Sequence, residues 1–331
     1  MHPHEYDDLS HDFSDNFAAG PGARRSRPGR RNRGSRFDDE PEPTRRGRLT
    51  ESERLRLAER REDHQDTAGA PAGGDRWSTW DGAEHGPEPH PPWLITELAA
   101  VDTELGVLKT GKEADVHLIR RELPGTGRRV VLAAKRYRAA EHRMFHRDTG
   151  YLEGRRVRRS REMRAMNART AFGRNLLAEQ WSSAEFGALT RLWRVGAPVP
   201  YPVQRVGTEV MMEFLGESDG TAAPRLAALR PDPDTLADLW HQTTAALLTL
   251  AGEGLAHGDL SAYNVLVHRG RLVLIDLPQV VDVVANPQGV EFLHRDVRNI
   301  AGWFAARGLP ADLGDPDALL AQLVSEALPA G

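Results

Sequence analysis

Asp259, Asn264 and Asp276 are the residues whose types and spacing could do chemistry. Asp259 and Asn264 lie in the run His257-Gly258-Asp259-Leu260-Ser261-Ala262-Tyr263-Asn264. Two short apolar runs follow, Val265–Val267 and Leu272–Ile275, split by His268-Arg269-Gly270. They read as the strands of a hairpin, with Asp276 at its end. The spacing suits phosphoryl transfer to a hydroxyl. One carboxylate, Asp259, takes the hydroxyl proton, while Asn264 and Asp276 hold Mg2+, a hard cation that takes oxygen ligands and leans on nucleotide phosphates for the rest. The plain alternative is a capped hairpin whose acids satisfy backbone donors. Three such residues at this spacing, with strand-like connections, favour the chemistry.

Other elements must bring a nucleotide to these residues. Gly106-Val107-Leu108-Lys109-Thr110-Gly111-Lys112-Glu113 nearly spells a Walker phosphate loop. That loop needs Ser or Thr after its Lys and a helix next. Here Glu113 takes that place, and Ala114–Ile119 continues as an alternating strand, so the Walker reading fails twice. A strand, glycine turn and strand suit a lid over phosphates instead. Val130–Lys135 is a buried-type strand ending in Lys. It parallels the protein-kinase strand whose Lys holds the α/β-phosphates and pairs with a helical Glu. Glu185 is the expected partner, on a helix spanning about 175–194 with an apolar stripe through Leu177, Trp181, Leu189, Leu192 and Trp193. Glu209–Leu215 reads as a strand leading to the lobe crossing. Leu236, Leu239, Trp240, Thr243, Leu247 and Leu250 mark an amphipathic helix that leads into the catalytic run.

Composition is segregated along the chain, so the formal net charge of -4 says little about partners. Residues 1–91, rich in Pro, Gly, Asp and Arg, read as a disordered tail. Within it Arg24, Arg25, Arg27, Arg30, Arg31, Arg33 and Arg36 form a basic arm suited to nucleic-acid phosphates. A short capped helix is expected near 51–62, and Trp77, Trp80 and Trp93 would tack the tail to the folded body. Order is expected from Pro92, with helical spacing over Trp93–Val101. A basic insert follows at 138–173, with RNA or ribosomal contact as one reading and a solvated helix as the other. Cysteine is absent, which excludes disulfides and thiolate metal sites. With no membrane-length apolar run and no signal-peptide layout, a cytoplasmic protein with no membrane partner is expected.

Taken in order, Lys109-Thr110-Gly111-Lys112-Glu113-Ala114-Asp115-Val116, Lys135, WSSAEFGALTRL around Glu185, GAPVPYPV, HGDLSAYN, IDLPQ and GVEFLHRDVRNIAGWF resemble the RIO family of atypical Ser/Thr protein kinases, and its first subfamily in particular. The resemblance covers roughly residues 93–308. It implies an α+β, bilobal protein-kinase-like fold with a trimmed C-terminal lobe. The N-terminal lobe would span 92–212, the hinge 213–216 and the C-terminal lobe 217–310, with a helical segment at 311–331. It also implies an ATP- and Mg2+-dependent Ser/Thr protein kinase, or an ATPase-like switch, that can phosphorylate itself. Lys109, Thr110, Gly111, Lys112, Glu113, Val116 and Lys135 would surround the phosphates. Backbone groups of Glu213, Phe214 and Leu215 would meet adenine. Asp276 can also accept phosphate as an aspartyl-phosphate in that family. Lys109, His117 and Ala262 replace the usual Ser, Tyr and Glu; none of these is a metal ligand or the base.

Two other functions fit parts of the pattern. A small-molecule phosphotransferase of the aminoglycoside or choline kinase kind also uses H-G-D-x-x-x-x-N, but commonly carries a larger helical region after it. An RNA- or ribosome-binding module that uses ATP only as a switch would suit the Arg-rich segments. The complete base-and-metal set argues against lost chemistry. With no A-P-E segment after Asp276, the ordinary peptide-docking platform is not legible, and the protein substrate stays unnamed.

Overall fold

The computed structural model describes residues 71, 73–138 and 171–328. The basic arm, the expected helix near 51–62 and most of the 138–173 insert lie outside the described residues.

The N-terminal lobe is built on a seven-stranded sheet. Its strands are β1 (Arg76–Trp77), β2 (Glu84–His85), β3 (Val101–Thr110), β4 (Ala114–Leu123), β5 (Arg128–Tyr137), β6 (Pro202–Val206) and β7 (Glu209–Glu213). They lie in the order β1-β3-β4-β5-β7-β6-β2, each antiparallel to its neighbour. Alternation along β5 explains how the sheet works. Leu132 and Ala134 pack with Ile119, Tyr201, Val203 and Met211. Tyr137 instead meets α1 (Ala171–Arg194), packing with Ala178 and Phe186. Side chains of a strand point alternately to the two faces, so Lys135 shares the face of Tyr137.

The C-terminal lobe holds α2 (Pro233–Gly252), β8 (Leu255–Ala256), the hairpin β9 (Val265–His268) and β10 (Arg271–Leu274), β11 (Val281–Asp282), α3 (Gly289–Ala305) and α4 (Pro316–Ala327). Asp232 caps α2 by accepting from the Thr235 N–H at 2.9 Å, and Pro233 occupies the first turn, where a missing N–H costs nothing. Leu239, Leu247 and Leu250 of α2, Leu293, Val297, Ile300 and Phe304 of α3, and Leu319 and Leu323 of α4 share one core with Val265 and Leu274 of the hairpin.

Three expectations need correction. The ordered sheet begins before residue 92: β1 pairs with β3, and β2 with β6 near the opposite edge. Strands of two residues leave no periodicity to read. The stretch Trp93–Val101 is not a helix but turns leading into β3. Leu94, Ile95, Ala100 and Val101 are all buried there, Leu94 in the sheet core, and turns close at Pro91–Leu94 and Glu97–Ala100. Finally, α4 is part of the C-terminal lobe rather than a segment beyond it, since its buried face completes the core of α2 and α3. Of the three tryptophans, Trp80 packs on the sheet core and Trp93 sets its edge against Tyr201 at 5.9 Å, while Trp77 is largely exposed.

Candidate active site

A cleft of about 820 Å³ lies between the β3–β4 turn, the end of β5, α1 and the β9–β10 hairpin. Lys109, Gly111, Lys112, Glu113, Val116, Lys135, Glu185, Glu213, Phe214, Leu215, Asp259 and Asp276 all line it. Thr110 and Asn264 do not. Thr110 lies opposite Asp115 in the strand register. Asn264 sits just behind the wall, where its Nδ2 donates to the Asp259 carbonyl at 2.9 Å. That bond leaves its Oδ1 as the end able to meet a cation.

Lys135 is the central cation. Its Nζ lies 2.7 Å from Glu185 Oε1 and 2.6 Å from Asp276 Oδ1. Burial alone would lower the pKa of this ammonium, but the Glu185 and Asp276 carboxylates outweigh it and hold it above the usual lysine value. Burial would likewise raise the Asp276 carboxyl. Lys135, then Lys109 and His257, reverse that and hold it below the usual carboxylate range. Asp276 adopts φ +67°, a left-handed conformation uncommon outside glycine, just where β10 ends and the chain turns into the cleft. Its side chain stays 41% exposed.

The lid is made by sequence-local means. Gly111 N–H donates to the Ala114 carbonyl at 2.9 Å and closes a tight turn between β3 and β4. Arg138, at the end of β5, donates its backbone N–H to the Glu113 carbonyl at 2.9 Å and pairs its guanidinium with Asp115. At the far end of the cleft, Tyr201 N–H donates to Glu213 Oε2 at 3.1 Å, and burial raises the Glu213 pKa.

The loop carrying Asp259 is held from below by residues with no assigned role in the sequence. Asp296 on α3 accepts from Gly258 N–H at 2.8 Å and from Leu260 N–H at 2.9 Å. Burial raises the Asp296 pKa even though both amides and His257 oppose it. Asn299 donates to the Leu260 carbonyl at 3.2 Å, and Arg295 to that of Gly258. The signal for Asp296 was present in the sequence: an acid between Leu293 and Ile300 on the buried face of an amphipathic helix. Tyr137 was also missed; its OH donates to Glu185 Oε2 at 2.6 Å.

Among the described residues no group of three or more His, Cys, Asp and Glu could hold a metal alone. Asn264 and Asp276 instead offer one amide and one carboxylate, which fits Mg2+ bound together with nucleotide phosphates, since that ion needs only one or two carboxylates besides the phosphates and water.

The family model for the RIO domain matches residues 131–315. The chain is 36% identical over 221 residues to the RIO-type serine/threonine-protein kinase Rio1 of Haloferax volcanii, covering 66% of this chain and 69% of that one. It is 32% identical over 213 residues to the serine/threonine-protein kinase RIO1 of Chaetomium thermophilum, covering 62% of this chain and 40% of the relative. Among solved structures, the Rio2 kinase-ADP/Mg2+-phosphoaspartate complex from Chaetomium thermophilum superposes with a TM-score of 0.44 at 21% identity, over 67% of this chain and 65% of that one.

Proposed function

The chain belongs to the RIO family, and from that premise we propose that the cleft is the active site of an ATP- and Mg2+-dependent serine/threonine protein kinase. The observation that carries the proposal is the position of Lys135, bonded at once to Glu185 and Asp276 in the cleft that Asp259 lines. Mg2+ bound with the nucleotide would neutralise charge on the phosphates, with Asn264 and Asp276 as its protein ligands.

The remaining work falls to the chain's own groups. Lys135 orients the α/β-phosphates, and the β3–β4 turn covers them. Backbone groups of Glu213 to Leu215 receive adenine at the hinge. Asp259 orients the acceptor hydroxyl and takes its proton as the γ-phosphorus bond to the ADP oxygen breaks and that to the hydroxyl oxygen forms. A positioned base of this kind contributes about 10²–10⁴-fold, and most of the rest is positioning and preorganised charge. Asp276 as an alternative acceptor, giving an aspartyl-phosphate, belongs to the same reading.

The test is incubation of the purified chain with labelled ATP and Mg2+, then mass spectrometry for Ser/Thr and acid-anhydride phosphate. Label on neither would sink the proposal. For partners, the reading is RNA or ribosomal contact through the Arg-rich segments 24–36 and 138–173, supported by their charge and tested by binding with and without residues 1–91. No helix among the described residues is long and apolar enough to cross a membrane. A cytoplasmic location is part of the proposal, because the co-substrate is ATP.

A further inference from the structure

Arginines of the N-terminal lobe sheet mostly find carboxylates: Arg76 and Arg136 meet Glu209, Arg121 meets Asp102, and Arg138 meets Asp115. Beside the catalytic loop this pattern breaks. Arg225, Arg230 and Arg307 have no carboxylate partner among the described residues, and donate only to backbone carbonyls. Arg225 donates to that of Tyr263, Arg230 to that of Leu229 at 2.9 Å and Arg307 to that of Ala227 at 3.3 Å.

These cations are contiguous and lie against the loop that holds the base. Ala227 N–H donates to the Ala262 carbonyl at 2.9 Å, and Val267 N–H to that of Pro224 at 2.9 Å, so the 224–230 segment runs along the loop. Burial, and next the charge of Arg225, lower the pKa of Lys109 at the lid. Burial, and next the charge of Arg230, do the same to Arg307, whose guanidinium also stacks on Trp303 at 3.8 Å. Tyr263, between Asp259 and Asn264 in the chain, is 66% exposed. Like charges kept this close repel one another, and an incoming anion relieves them.

We propose that Arg225, Arg230 and Arg307, ranged about the exposed Tyr263, dock an acidic segment of the protein acceptor, so that carboxylates flanking its Ser or Thr lead the hydroxyl to Asp259. The proposal rests on the kinase reading and adds to it the class of acceptor. Guanidinium groups suit this work because their planar forks match carboxylates. The strip lies where a protein hydroxyl must approach, and it offers one exposed aromatic ring. A single-stranded nucleic acid is gripped by several rings in succession.

The test uses the full chain with a non-hydrolysable ATP analogue and Mg2+. Fluorescence anisotropy compares a labelled Ser peptide flanked by Glu and Asp, the same peptide flanked by Lys, and a single-stranded RNA oligonucleotide. The acidic peptide is expected to bind about tenfold or more tightly than the basic one, and to weaken as salt rises from about 0.05 to 0.5 M. Arg230→Glu, whose one side-chain hydrogen bond is to the neighbouring Leu229 carbonyl and whose reversed charge would also offset Arg307, carries the variant test. It should weaken the acidic peptide about three- to tenfold, and raise the KM for that peptide in transfer assays by a similar factor while the KM for ATP holds. Arg307→Glu, whose stacking on Trp303 also supports the fold, is the companion variant and is scored only if its melting temperature is kept.

Equal binding of acidic and basic peptides, or indifference to Arg230→Glu, overturns the proposal. So does RNA that displaces the acidic peptide and loses more affinity than the peptide in that variant, which would make the strip a nucleic-acid surface. Peptide binding that depends on Arg230 without transfer to any hydroxyl would instead defeat the kinase reading and leave the strip standing as a peptide site. Transfer that ignores flanking charge would defeat the strip alone.

Discussion

Lys135 and Asp276, 141 residues apart in sequence, meet at 2.6 Å and tie the last long strand of the N-terminal lobe to the end of the catalytic hairpin. Glu185 holds the other side of the same ammonium at 2.7 Å. The two lobes are thus joined through one ammonium, whose third N–H remains to meet a phosphate oxygen.

Removing the cation should therefore do two separable things. Lys135→Met leaves Glu185 buried beside an apolar side chain, and breaking a buried pair from one side costs about 3 kcal/mol. Chemical denaturation is the measurement. Transfer should fall about 10²–10³-fold, as for loss of a preorganised charge at the reacting phosphates. The double variant Lys135→Met/Glu185→Leu should recover part of the stability and none of the activity. Recovery of both would show that the triad serves only the fold.

The directions of the two pKa shifts set where this triad fails. Asp276 has a folded pKa below its unfolded value, so its contribution is present above the unfolded value and lost as pH falls through the folded one. Lys135 has a folded pKa above its unfolded value, so its contribution is present below the unfolded value and lost as pH rises through the folded one. The stability difference between the native chain and Asp276→Asn should then stay level from about pH 6 to 9 and close below about pH 4, where an ordinary aspartate protonates. Thermal melts across that range provide the check. A difference that closes near neutrality would contradict the assigned pair.

Much of this site was legible because its chemistry is carried by residues near one another in sequence or marked by strand periodicity. The hairpin between Asn264 and Asp276, the glycine turn at Gly111 and the strand ending in Lys135 each announce themselves locally. Glu185 needed one long-range inference, from an acid set within an apolar stripe. What escaped was whatever depends on tertiary pairing alone. The two-residue strands β1 and β2 have no pattern of their own and exist because β3 and β6 offer open edges. Leu94, Ile95 and Val101 suggest a helical face, yet turns at Pro91–Leu94 and Glu97–Ala100 carry them. Asp296 and Tyr137 look like ordinary members of a helix and a strand until their partners, far off in sequence, are known.

Asp296 grips the amides on both sides of Asp259, so on the proposed reading it would set where the base stands without touching substrate. Asp296→Ala strips the Gly258 and Leu260 N–H groups of their acceptor, at about 1–3 kcal/mol for each buried donor left unpaired. The kcat should fall about 10²-fold with the KM for ATP little changed, since misplacing a catalytic group by an ångström has that effect. Asp296→Asn keeps one acceptor oxygen and should recover part of the rate. A KM effect without a kcat effect would place Asp296 outside the positioning of the base.

Tyr137 should matter through Glu185. Its hydroxyl is the donor to the carboxylate oxygen that Lys135 does not use, and burial, followed by the charge of Glu185, raises the phenol's pKa so that it remains a donor through the working range. Tyr137→Phe leaves that oxygen unpaired in a buried place and should cost about 1–3 kcal/mol. The KM for ATP should rise about threefold to tenfold as the Lys135 ammonium loses its fixed position, the size expected if about 1 kcal/mol of that hydrogen bond is passed on to nucleotide binding. Titration of a fluorescent ATP analogue would register the change, and unaltered affinity would confine Tyr137 to packing.

Gly258, immediately before the base, is the position where the backbone itself sets the chemistry. It adopts φ +85°, and a Cβ there would lie 2.1 Å from the Gln279 carbonyl oxygen, a backbone atom that cannot swing aside. Gly258→Ala meets both the left-handed strain and the collision. The loop must then leave either Asp296, which holds its amides, or the segment after Asp276 that carries Gln279. Either movement would shift Asp259 relative to Asp276, the proposed base relative to a proposed metal ligand. Transfer should fall at least about 10²-fold, and the melting temperature should drop with it, because the displaced amides lose the Asp296 carboxylate. Hydrogen exchange at the amides of position 258 and of Leu260 distinguishes local displacement from general unfolding: protection should be lost there first, while the amides of Leu247 and Leu250 in α2 keep theirs. Full activity in Gly258→Ala would show that the close approach to Gln279 is not needed to hold the base.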